Sequence, residues 1–387
     1  MEKRALLEEF SLLGGPLHRL GIRLRLVRGG MDTVALGLAL GLVLWGVLVA
    51  LSFIEGVSPQ LFSLSVIGGH ARLLVVIPLF FLCESIWAPR VTAFVNTIVH
   101  SGVVPPNEIP VLESGILRIT RWKDAWLPET MCLLAAVLLA LIGTQLQLPG
   151  ATSTLDASRA LSDMTLTGQW YWVVCLTIFR FLMLRWLWRL GLWCYLLWHV
   201  SKLQLHLVPT HPDGAAGLGG PETVHTHFTP LVMAISVLQS ALLAEEIASG
   251  KVAFEAIYPA FAVVLVVDAV LFLGPLFIFA TKLWACRIKG LSDYTVLASS
   301  YVNGFEQKWL DKNTDAKEPL LGTPDLQSLA DLSNSVNVVR NMRWVPISQR
   351  LLTDLALVAL LPFLPLLLLK YPVAELAGKL IMKLIGI

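Results

Sequence analysis

The chain has 387 residues, 56% of them hydrophobic and only 14% charged, with a formal net charge of +2 and a mean hydropathy of +0.71. Soluble domains carry about 25% charged residues, so this composition excludes an ordinary soluble globule and places much of the surface in lipid. So small a net charge gives no basis for nucleic acid as a partner. The five cysteines (Cys83, Cys132, Cys175, Cys194, Cys286) are odd in number, sit in or beside apolar runs and lack C-x-x-C spacing. Neither a disulfide framework nor a thiolate metal site is expected.

Residues 1–30 read as a basic amphipathic arm. Leu6, Leu7, Phe10 and Leu13 share one face, Gly14-Gly15-Pro16 breaks the helix, and Arg19, Arg23, Arg25 and Arg28 follow. Such an arm is expected to lie on anionic lipid headgroups. The first apolar run starts only near Thr33 and lacks a small-residue cleavage site, so it reads as a retained span and not a signal peptide. Residues 31–283 then form a transmembrane bundle. Its predicted spans lie near 33–54, 71–95, 128–148, 169–188, 228–248 and 256–281, and a seventh follows at 351–370.

The fourth span begins a run without turn signals from about 169 to 207. As one helix it would be roughly 57 Å long, against a hydrocarbon core of about 30 Å. Its inner half is therefore expected to project into the cytoplasm. The run 186–198 is apolar nearly all round, which calls for a partner and suggests self-association into a homo-oligomer. A loop of histidines and glycines (208–227) leads back to the fifth span.

Residues 284–350 are the largest segment outside the spans. Tyr294, Leu297, Tyr301, Phe305 and Leu310 recur near helical spacing. Thr323, Pro324 and Asp325 mark the start of a second amphipathic helix with Leu326, Leu329, Leu332, Val336 and Val339 on its apolar face. The last unit, 351–387, holds the seventh span and a short amphipathic tail at 374–387.

Lysine and arginine counts orient this threading. With the N-terminus inside, cytoplasmic segments hold 22 and outer segments 6, with Arg180 left inside a span. That asymmetry predicts seven spans with the N-terminus cytoplasmic and the C-terminus outside. Trp87, Trp126, Trp170, Trp172, Trp186 and Trp284 lie near predicted span ends, as in an interfacial aromatic belt. The expected fold class is an all-α integral membrane protein with one long helix projecting into the cytoplasm and amphipathic cytoplasmic helices.

Three stretches carry a resemblance. They are His211-Pro212-Asp213-Gly214-Ala215-Ala216-Gly217-Leu218-Gly219, then Glu318-Pro319-Leu320-Leu321-Gly322-Thr323-Pro324-Asp325-Leu326-Gln327-Ser328-Leu329-Ala330-Asp331-Leu332, and Val338-Val339-Arg340-Asn341-Met342-Arg343-Trp344-Val345-Pro346. Together they resemble a family of uncharacterised bacterial multi-pass membrane proteins, over about the second half of the chain. In that family Arg is common where Gly214 stands and Gly where Ala216 stands. The resemblance implies a membrane fold and brings no activity with it.

Candidate chemistry falls into four groups. Glu84, Arg180 and Asp268 each lie about midway through a predicted span, and Gln239 lies midway through the fifth. A charge at the bilayer centre costs about 2.5–3.5 kcal/mol on insertion scales, so a polar layer is expected in which Arg180 pairs with Asp268 or Glu84. Such a layer serves either as an ion or proton path or as a structural ion pair. His199, His206, His211, Asp213, His225 and His227 gather imidazole and carboxylate groups that could ligate a divalent metal. No H-E-x-x-H is present, and ordinary loop and interface histidines are the alternative. The glycine loop lacks G-x-x-x-x-G-K-[ST] and follows no strand, so it reads as a tight re-entry and not a phosphate cradle. Glu245 and Glu246 stand where an outer mouth would be, or where a helix ends in solvent.

These groups lead to a conduit, channel or transporter, as the first functional expectation. A membrane-bound metal-dependent enzyme using the histidine loop, or a non-catalytic scaffold or sensor, stand as alternatives. No nucleophile elbow or paired carboxylates beside a histidine are present, so no catalytic residue is assigned.

Overall fold

The computed structural model describes residues 10–23, 33–146, 165–310 and 323–369. Among these the chain is helical with no strand, an all-α architecture. The predicted tail at 374–387, and Leu6, Leu7, Arg25 and Arg28 of the arm, lie outside the described residues.

Helix α1 (Pro16–Arg23) is opened by Pro16, which suits the first turn because its missing N–H needs no partner there. Helix α2 (Val34–Ile54) is uncharged throughout. Helix α3 (Ile67–His100) contains a π turn at Arg72–Val76. Pro78, which follows, cannot donate to the carbonyl of Leu74, and the ladder shifts there. Helices α4 (Ile109–Asp124) and α5 (Trp126–Leu146) meet at a bend, measured as 47° over the described spans. Helix α6 runs over 166–202 with a π turn at Trp170–Cys175. Helices α7 (Gly220–Thr226) and α8 (Thr229–Ala248) follow the glycine loop.

Helix α9 (Phe254–Trp309) is the longest, interrupted by a π turn at Ala269–Leu273 and a 3-10 stretch at Gly274–Phe279. Pro275 removes the donor for the Leu271 carbonyl, as Pro78 does for Leu74. Helix α10 (Pro324–Arg340) lies antiparallel along its far half: Lys308 and Trp309 bond to Asp325, while Arg287 donates to the Arg340 carbonyl. Helix α11 (Gln349–Leu360) is capped by the Ser348 hydroxyl, which accepts from Leu351 N–H, and continues as a 3-10 turn through Pro362 and Pro365.

Five of these helices are long and apolar enough to cross a membrane: α2, α3, 220–248, α9 and 349–367. The bent pair of α4 and α5 makes a sixth if it counts as one span. Helix α6, which carries Arg180, Arg185, Arg189 and Lys202, is not among them. It is instead the buried helix against which α3, α4, α5 and the 274–279 stretch pack. Much of the stem is covered within the chain: Leu190, Leu192, Trp193, Leu196, Leu197 and Val200 are buried by its own helices, while Leu187 and Trp198 stay exposed.

Small residues set the closest helix approach. A Cβ on Gly41 of α2 would sit 2.3 Å from the Leu73 carbonyl oxygen, and one on Gly37 would sit 2.6 Å from Phe81 Cβ. One turn apart, the two glycines let α2 lie against the π turn of α3, as small residues do in membrane bundles.

Two further expectations are corrected. Trp87, Trp172 and Trp186 are 1%, 4% and 3% exposed, so they lie inside the bundle and not in an interfacial belt; Trp126 and Trp284 do face outward. Trp87 packs edge-on to Trp186 and Trp193 and against Phe228. The arm does not lay Phe10 and Leu13 on lipid either, because both are buried in the bundle. Thr92 Oγ1 donates to the Phe10 carbonyl and Lys123 Nζ to the Ser11 carbonyl, which leaves Arg19 and Arg23 facing outward.

Candidate functional site, a chain of buried charges along one helix

Helix α6 carries its charges inside the protein. Arg185 and Arg189 are four residues apart, so they share a face, and that face meets Glu84 of α3. Arg185 Nη1 and Arg189 Nη1 both contact Glu84 Oε1. Arg185 Nε also reaches Glu129 Oε1 of α5 at 3.1 Å, and the other Glu129 oxygen accepts from Leu17 N–H at 3.1 Å. All three of Glu84, Arg185 and Arg189 are under 5% exposed. Two guanidiniums and two carboxylates form a cluster of zero net charge, which is what makes burial tolerable. The satisfaction is incomplete: Glu84 Oε2 and Arg189 Nη2 have no hydrogen-bond partner in the protein.

Arg180 was expected to pair with Glu84 or Asp268, and it does neither. At 100° per residue it points about 140° away from Arg185 around the helix axis, and so misses Glu84. It lies over the Trp172 ring at 5.5 Å, buried, with Nη1 unpartnered. Its nearest charged neighbourhood is that of Arg72. Arg72, on the π turn of α3, donates to the hydroxyl of Tyr171, on the π turn of α6. Two of the three π turns among the described residues thus meet through a buried hydrogen bond.

Glu245 joins this second group. Its carboxylate accepts from Gly68 N–H at 2.7 Å and lies in the field of Arg72. A Cβ on Gly68 would fall 2.8 Å from that oxygen. The expected outer mouth of paired Glu245 and Glu246 is therefore corrected: neighbouring residues on a helix diverge by 100°, so Glu245 turns inward and Glu246 stays exposed. Gln239 is likewise exposed on α8 and joins no polar layer, while Ser236 and Ser240 occupy its inner face. Asp268 is buried at 4% exposure, immediately before the third π turn, and neither of its oxygens has a hydrogen-bond partner in the protein.

The histidines do not converge. His199 Nε2 meets the Val111 carbonyl at 3.0 Å. His206 is held through its backbone N–H by the Val103 carbonyl. His225 accepts from Trp193 Nε1 at Nε2 and bonds the Phe272 carbonyl through Nδ1, an arrangement that requires the neutral Nδ1–H tautomer. His227 accepts from Arg90 at Nε2 and contacts the Thr223 carbonyl through Nδ1. Among the described residues no three His, Cys, Asp or Glu side chains are placed to hold a metal ion. The candidate divalent-metal site at His199, His206, His211, Asp213, His225 and His227 is not assembled: His199, His225 and His227 bond to three different helices, and His211 turns to Asp213 within the loop.

His211 and Asp213 serve the loop. Asp213 accepts from the N–H groups of Ala215, Gly217 and Gly219 at 2.8–3.1 Å, and His211 Nδ1 lies 2.9 Å from its Oδ1. Burial pushes the Asp213 carboxyl up, but those hydrogen bonds outweigh it and hold the group below its ordinary range. Gly214, Ala216 and Gly217 all have positive φ, which is why small residues stand there. Arg343 pins the loop: Nη1 pairs with Glu222 at 2.6 Å, Nη2 donates to the Asp213 carbonyl, and its own N–H donates to the Gly214 carbonyl. The stretches around His211 and Arg343, distant in sequence, are thus one docked unit.

Sequence reasoning passed over Arg185, Arg189 and Glu129 as one group, and Arg72 with Tyr171. The i, i+4 spacing of Arg185 and Arg189 was the available signal. The fold and these clusters define the class, an all-α chain with apolar helices compatible with membrane insertion and buried charges along its central helix. No protein-family model, curated protein or solved structure matches the chain.

Proposed function

We propose that this chain is a membrane-embedded conduit for small ions, with helix α6 lining the path. The observation that carries the reading is the set of polar atoms on buried charged side chains that no protein group satisfies: Glu84 Oε2, Arg180 Nη1, Arg189 Nη2 and both oxygens of Asp268. Leaving such atoms dry costs kcal/mol apiece, and intramembrane ionisable residues mark ion and proton pathways. Water or a passing ion supplies the missing partners. From Tyr171 to Arg189 the polar groups of α6 cover about 27 Å of helix rise, close to the thickness of a hydrocarbon core.

In this reading α6 is the seventh span, buried among the six apolar ones, with the N-terminus and the α9–α10 hairpin on the cytoplasmic side of a bacterial inner membrane. With Arg72, Arg185 and Arg189 counted inside the bundle alongside Arg180, the remaining lysines and arginines divide 20 to 5 in favour of that orientation. The test is flux. Purified full-length protein in proteoliposomes should dissipate an imposed proton, sodium, potassium or chloride gradient faster than empty vesicles, and Arg180→Gln should alter the rate. Rates equal to empty vesicles under all four gradients would end the proposal.

A further inference from the structure

We propose that Asp268 is a protonation site: its carboxyl is carried as the neutral acid inside the bundle and exchanges its proton. Resting on the conduit reading, this makes H+ the ion served. The other buried carboxylates are provided for. Glu84 faces two guanidiniums, Glu129 faces Arg185 and a backbone N–H, and Glu245 faces a backbone N–H. Asp268 has nothing, at 4% exposure and with no partner on either oxygen.

The segments packed against Ile257–Asp268 include α8, α11, the flanking turns Phe254–Ala256 and Ala269–Leu273, and the uncharged stretch Leu361–Leu369, whose Phe363 ring meets Phe261. Their charged groups are Glu245, held by Gly68; Glu246, exposed; Arg350 and Asp354, paired with each other at 3.8 Å; and Glu255. Tyr258 on the same helix is 69% exposed. None of them hydrogen-bonds or ion-pairs with Asp268. Without a counter-charge, an ionised carboxylate in this position is the least favourable state available, and taking up a proton relieves it.

Position favours exchange as well as uptake. Asp268 is the last residue before a π turn, a local irregularity common at functional sites. Its neighbours Val266, Val267 and Val270 are 63%, 42% and 66% exposed on the outer wall of the bundle, so the carboxyl lies one residue from the lipid-facing surface.

A hydrophobic carbodiimide tests this directly. The O–H of a neutral carboxylic acid adds across the C=N bond of dicyclohexylcarbodiimide, its proton passing to nitrogen, and the adduct rearranges to a stable N-acylurea carrying the whole reagent. The full chain in phosphatidylcholine vesicles is labelled over a pH series and mapped by peptide mass spectrometry. We expect labelling concentrated at Asp268, falling by up to about tenfold per pH unit once the carboxyl ionises, with Glu84 unlabelled. Asp268→Asn, which preserves shape, should fold and lose the label. No label at Asp268 at any pH, a pH-independent label, or equal labelling of Glu84 would overturn the proposal. Flux in the same vesicles separates the two readings: label with no flux under any of the four gradients retains the site and sinks the conduit, label with flux of another ion but not of protons sinks H+ as the ion served, and flux without label sinks the site alone.

Discussion

Arg185 meets Glu84 across 101 residues of sequence, and Arg189, one turn further along the same helix, reaches the same carboxylate oxygen. The contact ties α6 to α3 at a point where both are almost wholly buried. Removing one member of a buried ion pair leaves an uncompensated charge, at a cost of about 3–5 kcal/mol. Glu84→Gln should therefore lower stability by that order, whereas Arg180→Gln, which breaks no ion pair, should cost clearly less. Thermal unfolding in detergent compares them, and equal losses would show that the Glu84 cluster has no special weight.

The approach of α2 to α3 rests on Gly41. Its missing Cβ leaves room for the Leu73 carbonyl oxygen, which is backbone and cannot swing aside. Gly41→Leu should force the helices apart and destabilise by about 1–3 kcal/mol. Gly46→Leu, which meets nothing within 4 Å, is the control and should be near neutral. Disulfide trapping between cysteines introduced on α2 and α3 would report the separation.

Acid should find the loop at Asp213. Its folded carboxyl lies below the ordinary value of 3.8, so the group binds its proton less readily in the folded chain than in the unfolded one. That stabilisation is complete above about pH 4 and is lost as pH falls through the lower folded value. Asp213→Ala, which orphans three backbone donors, should cost about 1–3 kcal/mol at neutral pH. The gap from the wild type should narrow in stability measurements below about pH 4; a gap constant down to strongly acidic pH would contradict this.

Arg343 should matter for its geometry as much as for its charge. It pairs with Glu222 and donates to the Asp213 carbonyl from two different nitrogens, and a lysine cannot reproduce that fork. Both Arg343→Ala and Arg343→Lys should speed amide exchange over residues 211–222 while leaving α2 and α3 protected. Full rescue by lysine would reduce the contact to simple charge.

Helix positions were readable from the order of residues alone, because apolar run length reports directly on the oil thickness a helix must match. The runs beginning near Thr33, Ala71, Pro128, Phe228 and Ala256 all became helices, with starts within about four residues of these. The long helix expected from about 169 to 207 was legible too, since no turn residue interrupts it, although it runs from Leu166 and stops at Lys202. Which charge meets which was not. Glu84 found Arg185 and Arg189 in place of Arg180 because rotation about the α6 axis and the packing of α3 set the partner, and neither is written in local spacing. Burial of the tryptophans and of Phe10 followed from helices closing over them, an outcome of long-range packing that any one segment leaves open. The histidines, near one another along the chain, were separated by the loop that joins them. Hydrophobicity acts on each segment by itself, whereas pairing among buried charges depends on three helices arriving together.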